Sequence, residues 1–418
     1  MRQLNRGEGS LNVEDEVLSK IKPSPQEYVK INDAIRKVVQ RLEGFNPEVH
    51  GSFAKDTWLS GASDVDVFVF FPSTTSLEWI RSQALSLIKA KLSDLPWQIE
   101  YADHPYLKVL VDGIWIDVVP AVAVEEGSKP VTPVDRTRFH TVFVRGNFTP
   151  EMKDQVRLLK AFMKGIGVYG AEQRVKGFSG YLAELLIYHL RDFKGVLSAA
   201  SSWGPKVVLG EPIRNFPEPL VVPDPIDPHR NVAAAVSIKR LAEFSLAARY
   251  YLTSPSLRFF YPPTVSDVPA VGDVLVVEVK PREYVAEEVL WGQVNSVLTK
   301  VRRSLGEAGF RVIDVGACEG LKLLVQVESK EIGRFKLHQG PPFYMRDDVS
   351  SFIASNDQVW IGEDGRLLSI KRRTGVMEDV VKGCLTFKFD FDLSFKWVSK
   401  GDDPCVAAFL RKTPTWLH

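Results

Sequence analysis

Residues 51–72 read GSFAKDTWLSGASDVDVFVFFP, from Gly51 to Pro72, and the rest of the chain is organised around them. Gly51-Ser52 predicts a tight turn into a short helical segment, followed by a polar loop through Gly61 and Ser63. Asp64-Val65-Asp66 then heads an apolar run, Val67 to Phe71, that predicts a strand. Side chains alternate faces along a strand, so Asp64 and Asp66 project together while Val65 and Val67 pack on the other face. Two carboxylates held that close repel unless a cation sits between them. Hard oxygen ligands of this kind suit Mg²⁺, above all when phosphates complete the shell.

The Gly-Ser turn supplies the complement. Backbone N–H groups at a turn or helix start favour anions, and Ser52 adds a hydroxyl. A phosphate cradle beside paired carboxylates implies nucleotidyl transfer from a triphosphate. The plainer alternative is a capped surface loop before an amphipathic strand. Against it, two acids at the start of a buried strand are costly without a role.

A third acid follows. Strands are predicted over 97–101 and 106–111, and Asp112-Gly113 is a hairpin signal. The return strand, Ile114 to Pro120, carries Asp117 alone among apolar residues. Asp117 is therefore a candidate third metal ligand, with an acid at a sheet edge as the alternative. The turn alone explains Asp112. Three carboxylates on adjacent strands suit a site where two cations about 3.5–4 Å apart clamp the attacking and leaving oxygens of an in-line displacement.

The whole chain sets bounds. Its 418 residues exceed one ordinary core and predict three or four domains. With 53 basic and 52 acidic residues the net charge is +1, so any nucleic-acid surface must be a local patch. Cys318, Cys384 and Cys405 lie far apart in sequence without metal-site spacing, which predicts a reducing compartment and no disulfide. No apolar run reaches transmembrane length and the N-terminus is too charged for a signal peptide, so a soluble, cytoplasmic protein with no membrane partner is expected.

Helical periodicity predicts two helices over 14–43, broken at Pro23-Ser24-Pro25, and further helices over 76–92, Met152 to Met163, Ser179 to Asp192 and Ser237 to Leu252. Residues 204–228 are rich in Pro and Gly. After Pro262-Pro263 the pattern alternates again: strand Val274 to Val279, helix Glu287 to Ala308, strands Phe310 to Cys318 and Leu321 to Glu328. That order predicts an α+β domain like RNA-recognition folds. Lys300, Arg302 and Arg303 on its helix are candidate RNA contacts, with a basic run from Arg334 to Arg373 behind them.

Together these residues resemble the archaeal-type (class I) CCA-adding enzymes of the DNA polymerase beta nucleotidyltransferase superfamily. The resemblance is carried by the Gly-Ser-x-x-Lys turn, the Asp-x-Asp strand, Asp117, Lys160 with GIGVYGAE and KGFSGYLAELL, and DPIDPHRNVAAAVS. It extends less strongly through the C-terminal region. It implies an α+β multidomain fold: a nucleotidyltransferase head over 1–146, a helical neck over 147–260, and an α+β body over 261–418 with a tail inserted at about 310–370. It implies template-independent addition of C, C and A to the 3′ end of tRNA from CTP and ATP with Mg²⁺. Asp64, Asp66 and Asp117 would hold the metal, although the family often has Glu at the first position. Ser52 and Lys55 match the triphosphate turn, where Arg is common in place of Lys55. His140, Lys160 and Tyr169 match further nucleotide-site positions, and Arg230 matches the arginine that reads the base edge. The body and tail would hold the tRNA acceptor arm, and the family tends to form homodimers. A poly(A) polymerase, an oligoadenylate synthase or a non-catalytic RNA-binding protein are the competing readings.

Overall fold

A single carboxylate fixes how the chain enters the head. Pro23-Ser24-Pro25 separates the helices Val13–Ile21 and Pro25–Arg41. Ser24 Oγ accepts the Glu27 N–H and Glu27 accepts the Ser24 N–H, a capping box with proline at the helix start. Glu27 also accepts from Ser60 and Gly61, and so pins the loop that leads to the Asp-x-Asp strand. The computed structural model describes residues 12–61, 64–101, 105–124, 133–372 and 376–417, with the backbone alone for Asp64, Tyr101 and Pro133. The chain divides into two compact units. The first runs to Pro263 and the second is built on Thr264–Val285 and Val289–Thr413.

In the first unit, β1 (Pro47–His50), β2 (Asp64–Phe71), β3 (Trp97–Tyr101), β4 (Pro105–Val111) and β5 (Ile114–Val122) form one sheet in the order β1-β2-β5-β4-β3. β2 and β5 are parallel and the other pairs antiparallel. Asp112 and Gly113, at φ 51° and 78°, close the β4–β5 hairpin as the sequence predicts. Val65, Val67, Val69, Ile116, Val118, Leu107 and Val109 bury one face against the helix Pro25–Arg41 and the helical segments Ile80–Ala84 and Leu85–Lys91. Strand alternation therefore sends Asp66 and Asp117 to the opposite face.

The predicted neck helices are present as Pro150–Gly165, Gly180–Leu190 and Ile238–Thr253, with Ser179 and Ser237 as their caps where they were expected to be first residues. A further helix, Phe193–Ala200, went unpredicted. Arg191, at φ 79°, ends one helix and Asp192 caps the next, so the apparent end of one is the start of another. These helices share one core with Val144 of the helix Thr137–Asn147, inside the first unit.

The second unit is α+β. Phe391–Gly401, Val268–Pro281, Lys322–Val327 and Val312–Cys318 form an antiparallel sheet in that order. The helices Glu287–Ala308 and Met377–Cys384 cover one face and Pro404–Arg411 packs on the other. Phe335–Pro342, Arg366–Arg372 and Val359–Ile361 make a separate three-stranded sheet. Among the described residues no helix is long and apolar enough to cross a membrane.

One expectation is corrected. Cys318 and Cys405 form a disulfide, with Cα atoms 5.9 Å apart across 87 residues of sequence. Distance along the chain does not measure distance in the fold, and here the end of a strand meets the start of a helix packed on its sheet. Reduction is expected to lower the unfolding free energy by about 2–4 kcal/mol, because the reduced unfolded chain regains loop entropy. Urea denaturation with and without dithiothreitol measures this, and superimposable curves would contradict it.

Candidate active site

Strand register builds the site's polar face. His50, Asp66, Asp117, Lys108 and Gln98 are successive cross-strand partners, so they form one row across the whole sheet on one face. Asp66 and Asp117 are direct partners on neighbouring parallel strands, whose spacing is about 4.8 Å. Lys108 Nζ lies 3.7 Å from Asp117 Oδ1 and offsets part of the charge. Asp64 begins β2 opposite Trp115, and its side chain lies outside the described residues. His50 is buried, 3.0 Å from both Thr141 Oγ1 and Glu48 Oε2, with its ring edge-on to Phe68 and Phe70.

The Gly-Ser turn meets this row. Gly51 has φ +70°, and a Cβ there would lie 1.9 Å from Asp66 Oδ2. Glycine alone lets the start of the helix Gly51–Lys55, which carries Ser52, lie against the Asp66 carboxylate. Hard oxygens in register, closed on one side by backbone, fit Mg²⁺ by donor chemistry. Among the described residues no group of three His, Cys, Asp or Glu side chains could hold a metal, so Asp66 and Asp117 are the described part of that set.

The four basic candidates for the nucleotide site, Lys55, His140, Lys160 and Arg230, are each tied to one of two buried acids, Glu184 and Asp224, to which the sequence alone assigns no role. Glu184, on the helix Gly180–Leu190, accepts from Lys55 Nζ at 2.8 Å and Thr57 Oγ1 at 2.6 Å, with Lys160 Nζ at 3.5 Å. All four are buried. Burial pushes the Lys160 ammonium down to about 8, against the pull of Glu184. Burial opposes the Glu184 charge, but Lys55 and Lys160 outweigh it and lower the carboxyl below its usual range. Two ammonium groups on one carboxylate leave the cluster one positive charge in excess. Tyr169 adjoins it: a Cβ at Gly180 would lie 2.9 Å from Tyr169 Oη and 3.6 Å from Lys160 Nζ.

The second acid is Asp224, at the head of DPIDPHRN. It accepts from His140 Nε2 at 2.9 Å, Arg230 Nη1 at 2.9 Å, Tyr181 Oη at 3.1 Å and the Ile226 N–H at 3.1 Å. Tyr181 stacks on His140 at 4.0 Å and lies 4.8 Å from Lys55 Nζ, so it touches both clusters. Arg136 is paired with Asp227 at 2.8 Å, which docks the same loop a second time. Arg230, Arg136 and Ser179 line a cavity of about 1050 Å³ beside this loop.

A clamp joins the turn to the neck. Arg157 and Lys160, one turn apart on the helix Pro150–Gly165, donate to three consecutive carbonyls. Arg157 takes Trp58 O at 3.0 Å and Asp56 O at 2.7 Å, and Lys160 takes Thr57 O at 3.0 Å. Arg157 is fully buried and went unnoticed in the sequence. A cation inside the apolar half of an amphipathic helix was the available signal, as was Glu184 alone among the apolar residues of YLAELLI.

In the second unit, Arg302 Nη2 donates to Asp314 at 2.9 Å, Arg303 lies 3.8 Å from Glu307 and Lys300 Nζ is 3.5 Å from Gly383 O. Lys336 and Lys371 are direct register partners, two like charges side by side on one sheet.

Three family models match the chain in order. They are a nucleotidyltransferase domain over residues 31–140, the second domain of tRNA nucleotidyltransferase over 154–261, and the C-terminal domain of CCA-adding enzyme over 273–388. The CCA-adding enzyme of Sulfurisphaera tokodaii is 46% identical over 413 residues, covering 97% of this chain and 100% of that protein. That of Saccharolobus shibatae is 44% identical over 411 residues, covering 97% and 100%. That of Sulfolobus acidocaldarius is 43% identical over 416 residues, covering 98% and 100%. Likeness at this identity along the full length, on a sheet that sets a Gly-Ser turn against paired acids, places the chain in the archaeal-type CCA-adding enzymes, the tRNA nucleotidyltransferases that build the 3′ CCA end.

Proposed function

We propose that one site adds C, C and A in turn to the 3′ end of tRNA, taking CTP and ATP as donors. The contact between the Gly51 turn and the Asp66 carboxylate is the observation that supports it, since it puts a phosphate-binding backbone beside a cation-binding acid pair. Asp64, Asp66 and Asp117 would hold Mg²⁺, which when bound supplies positive charge for the triphosphate and for the RNA hydroxyl that attacks it. Ser52 offers a hydroxyl to the phosphates. The excess positive charge shared by Lys55 and Lys160 at Glu184 draws the triphosphate toward the turn, with Tyr169 beside it. His140 holds the Asp224 loop, and Arg230 on that loop presents a planar set of donors to the base edge. Lys300, Arg302, Arg303 and the Lys336–Lys371 pair are the cations we assign to the acceptor arm; phosphate contact would relieve the repulsion within that pair. On this reading the head covers 1–146, the neck 147–260 and the body 261–418, with a tail inserted at about 310–370.

The test is incubation of tRNA lacking its CCA end with each labelled nucleotide and Mg²⁺. Addition of C, C and A followed by arrest is expected, with UTP and GTP barely used. GTP incorporation at the level of CTP would refute the proposed selectivity.

Gly51→Ala is expected to lower addition by about 10²-fold, because the new methyl displaces Asp66 by an ångström or more. Its folding cost should be only about 1–2 kcal/mol, the strain of alanine at positive φ. Single-turnover rates and thermal melts on one sample separate the two effects, and a wild-type rate would contradict the contact.

A further inference from the structure

Asp224 binds Arg230 at both ends. Its N–H donates to Arg230 O at 3.0 Å and its carboxylate accepts from Arg230 Nη1 at 2.9 Å. The Arg230 N–H in turn donates to Asp227 O at 2.9 Å, so residues 224–230 form a closed loop, stiffened by Pro225 and Pro228. Beneath it, Asn231 Oδ1 accepts from Val222 N at 2.9 Å and Asn231 Nδ2 donates to Leu220 O at 2.9 Å, which fixes the loop's base.

The charges at Asp224 are asymmetric. Its side chain is fully buried, and although burial resists the charge, the bonds from His140 and Ile226 and the nearby Arg230 hold the carboxyl down to about 2. Burial lowers the pKa of His140 and raises that of Tyr181, so both are neutral donors at neutral pH. Arg230 is then the cation that balances the carboxylate. Yet its side chain is 39% exposed, on the wall of the 1050 Å³ cavity.

An arginine free to turn spreads over many rotamers and meets acceptors on any base. One whose guanidinium is fixed by a buried carboxylate offers its other donors in a single plane. We infer that Asp224 is a positioning residue for nucleotide choice: it sets the plane in which Arg230 meets the incoming base. The inference rests on Arg230 being the base reader.

The test is a double-mutant cycle with Asp224→Asn, Arg230→Ala and both together. The efficiencies of CTP and ATP are measured on tRNA ending before C, after C and after CC, with thermal melts in parallel. Asp224→Asn is expected to change the CTP:ATP ratio by about tenfold at one end or more, and the double variant to match Arg230→Ala within about twofold. Independent, multiplying effects would overturn the inference, because Asp224 would then only hold the loop. Wild-type ratios in Arg230→Ala alone would instead remove the base reader, and the inference with it. Should Asp224→Asn fail to fold, Tyr181→Phe decides. It keeps the ring on His140, removes one donor to Asp224, and is expected to move the ratio in the same direction by about two- to threefold. A wild-type ratio in that variant counts against the inference.

Discussion

Asp66→Asn and Asp117→Asn are each expected to reduce nucleotide addition by at least about 10³-fold, with tRNA binding unchanged within about threefold. Asparagine keeps the size of the side chain and removes its charge, so the sheet should stand while the cation site loses a ligand. The two acids are direct partners on β2 and β5, on the face opposite the hydrophobic core. Neither change touches the basic residues assigned to the acceptor arm. Filter binding of tRNA and single-turnover extension measure the two halves. Extension at even a tenth of the wild-type rate in both variants would sink the metal assignment.

Glu184→Ala should be the most destabilising single change near the site, by about 3–5 kcal/mol. It strands Lys55 and Lys160, both buried, without the carboxylate they share, and Thr57 loses its acceptor. Glu184→Gln should cost less, since an amide oxygen still accepts. The pH dependence has a definite sign. Lys160 titrates at about 8 in the fold, below its ordinary 10.5. The unfolded chain thus binds more protons between those values, and this group's cost to stability is full below pH 8 and relieved as pH rises through that window. Removing Glu184 lowers the Lys160 pKa further and moves the relief to lower pH. Urea midpoints across pH 7–10 record it, and parallel profiles for the two proteins would contradict the pairing.

Much of this was legible because period and turn chemistry are local. Val65, Val67 and Val69 alternate with Asp66, Asp112-Gly113 can hardly avoid a turn, and Pro23-Ser24-Pro25 separates two helices. Asp64 remains an expectation whose side chain lies outside the described residues. What escaped the sequence reading is what long-range pairing decides. Glu184 meets Lys55 across 129 residues and Asp224 meets His140 across 84. Nothing local separates such an acid from a solvated one, except that its neighbours are apolar. The disulfide escaped for the same reason, its cysteines being joined only by the packing of a helix on a sheet. Lys55 and Lys160, which the sequence offers for the nucleotide site, also bind the turn to the neck through Glu184 and the Thr57 carbonyl.

The most direct test of the account is where a cation binds. Crystals grown with CTP and Mn²⁺ in place of Mg²⁺ give an anomalous signal at the metal. A peak is expected on the carboxylate oxygens of Asp66 and Asp117, beside the Gly51 turn. A peak at Glu184 or Asp224, with none at that pair, would contradict it.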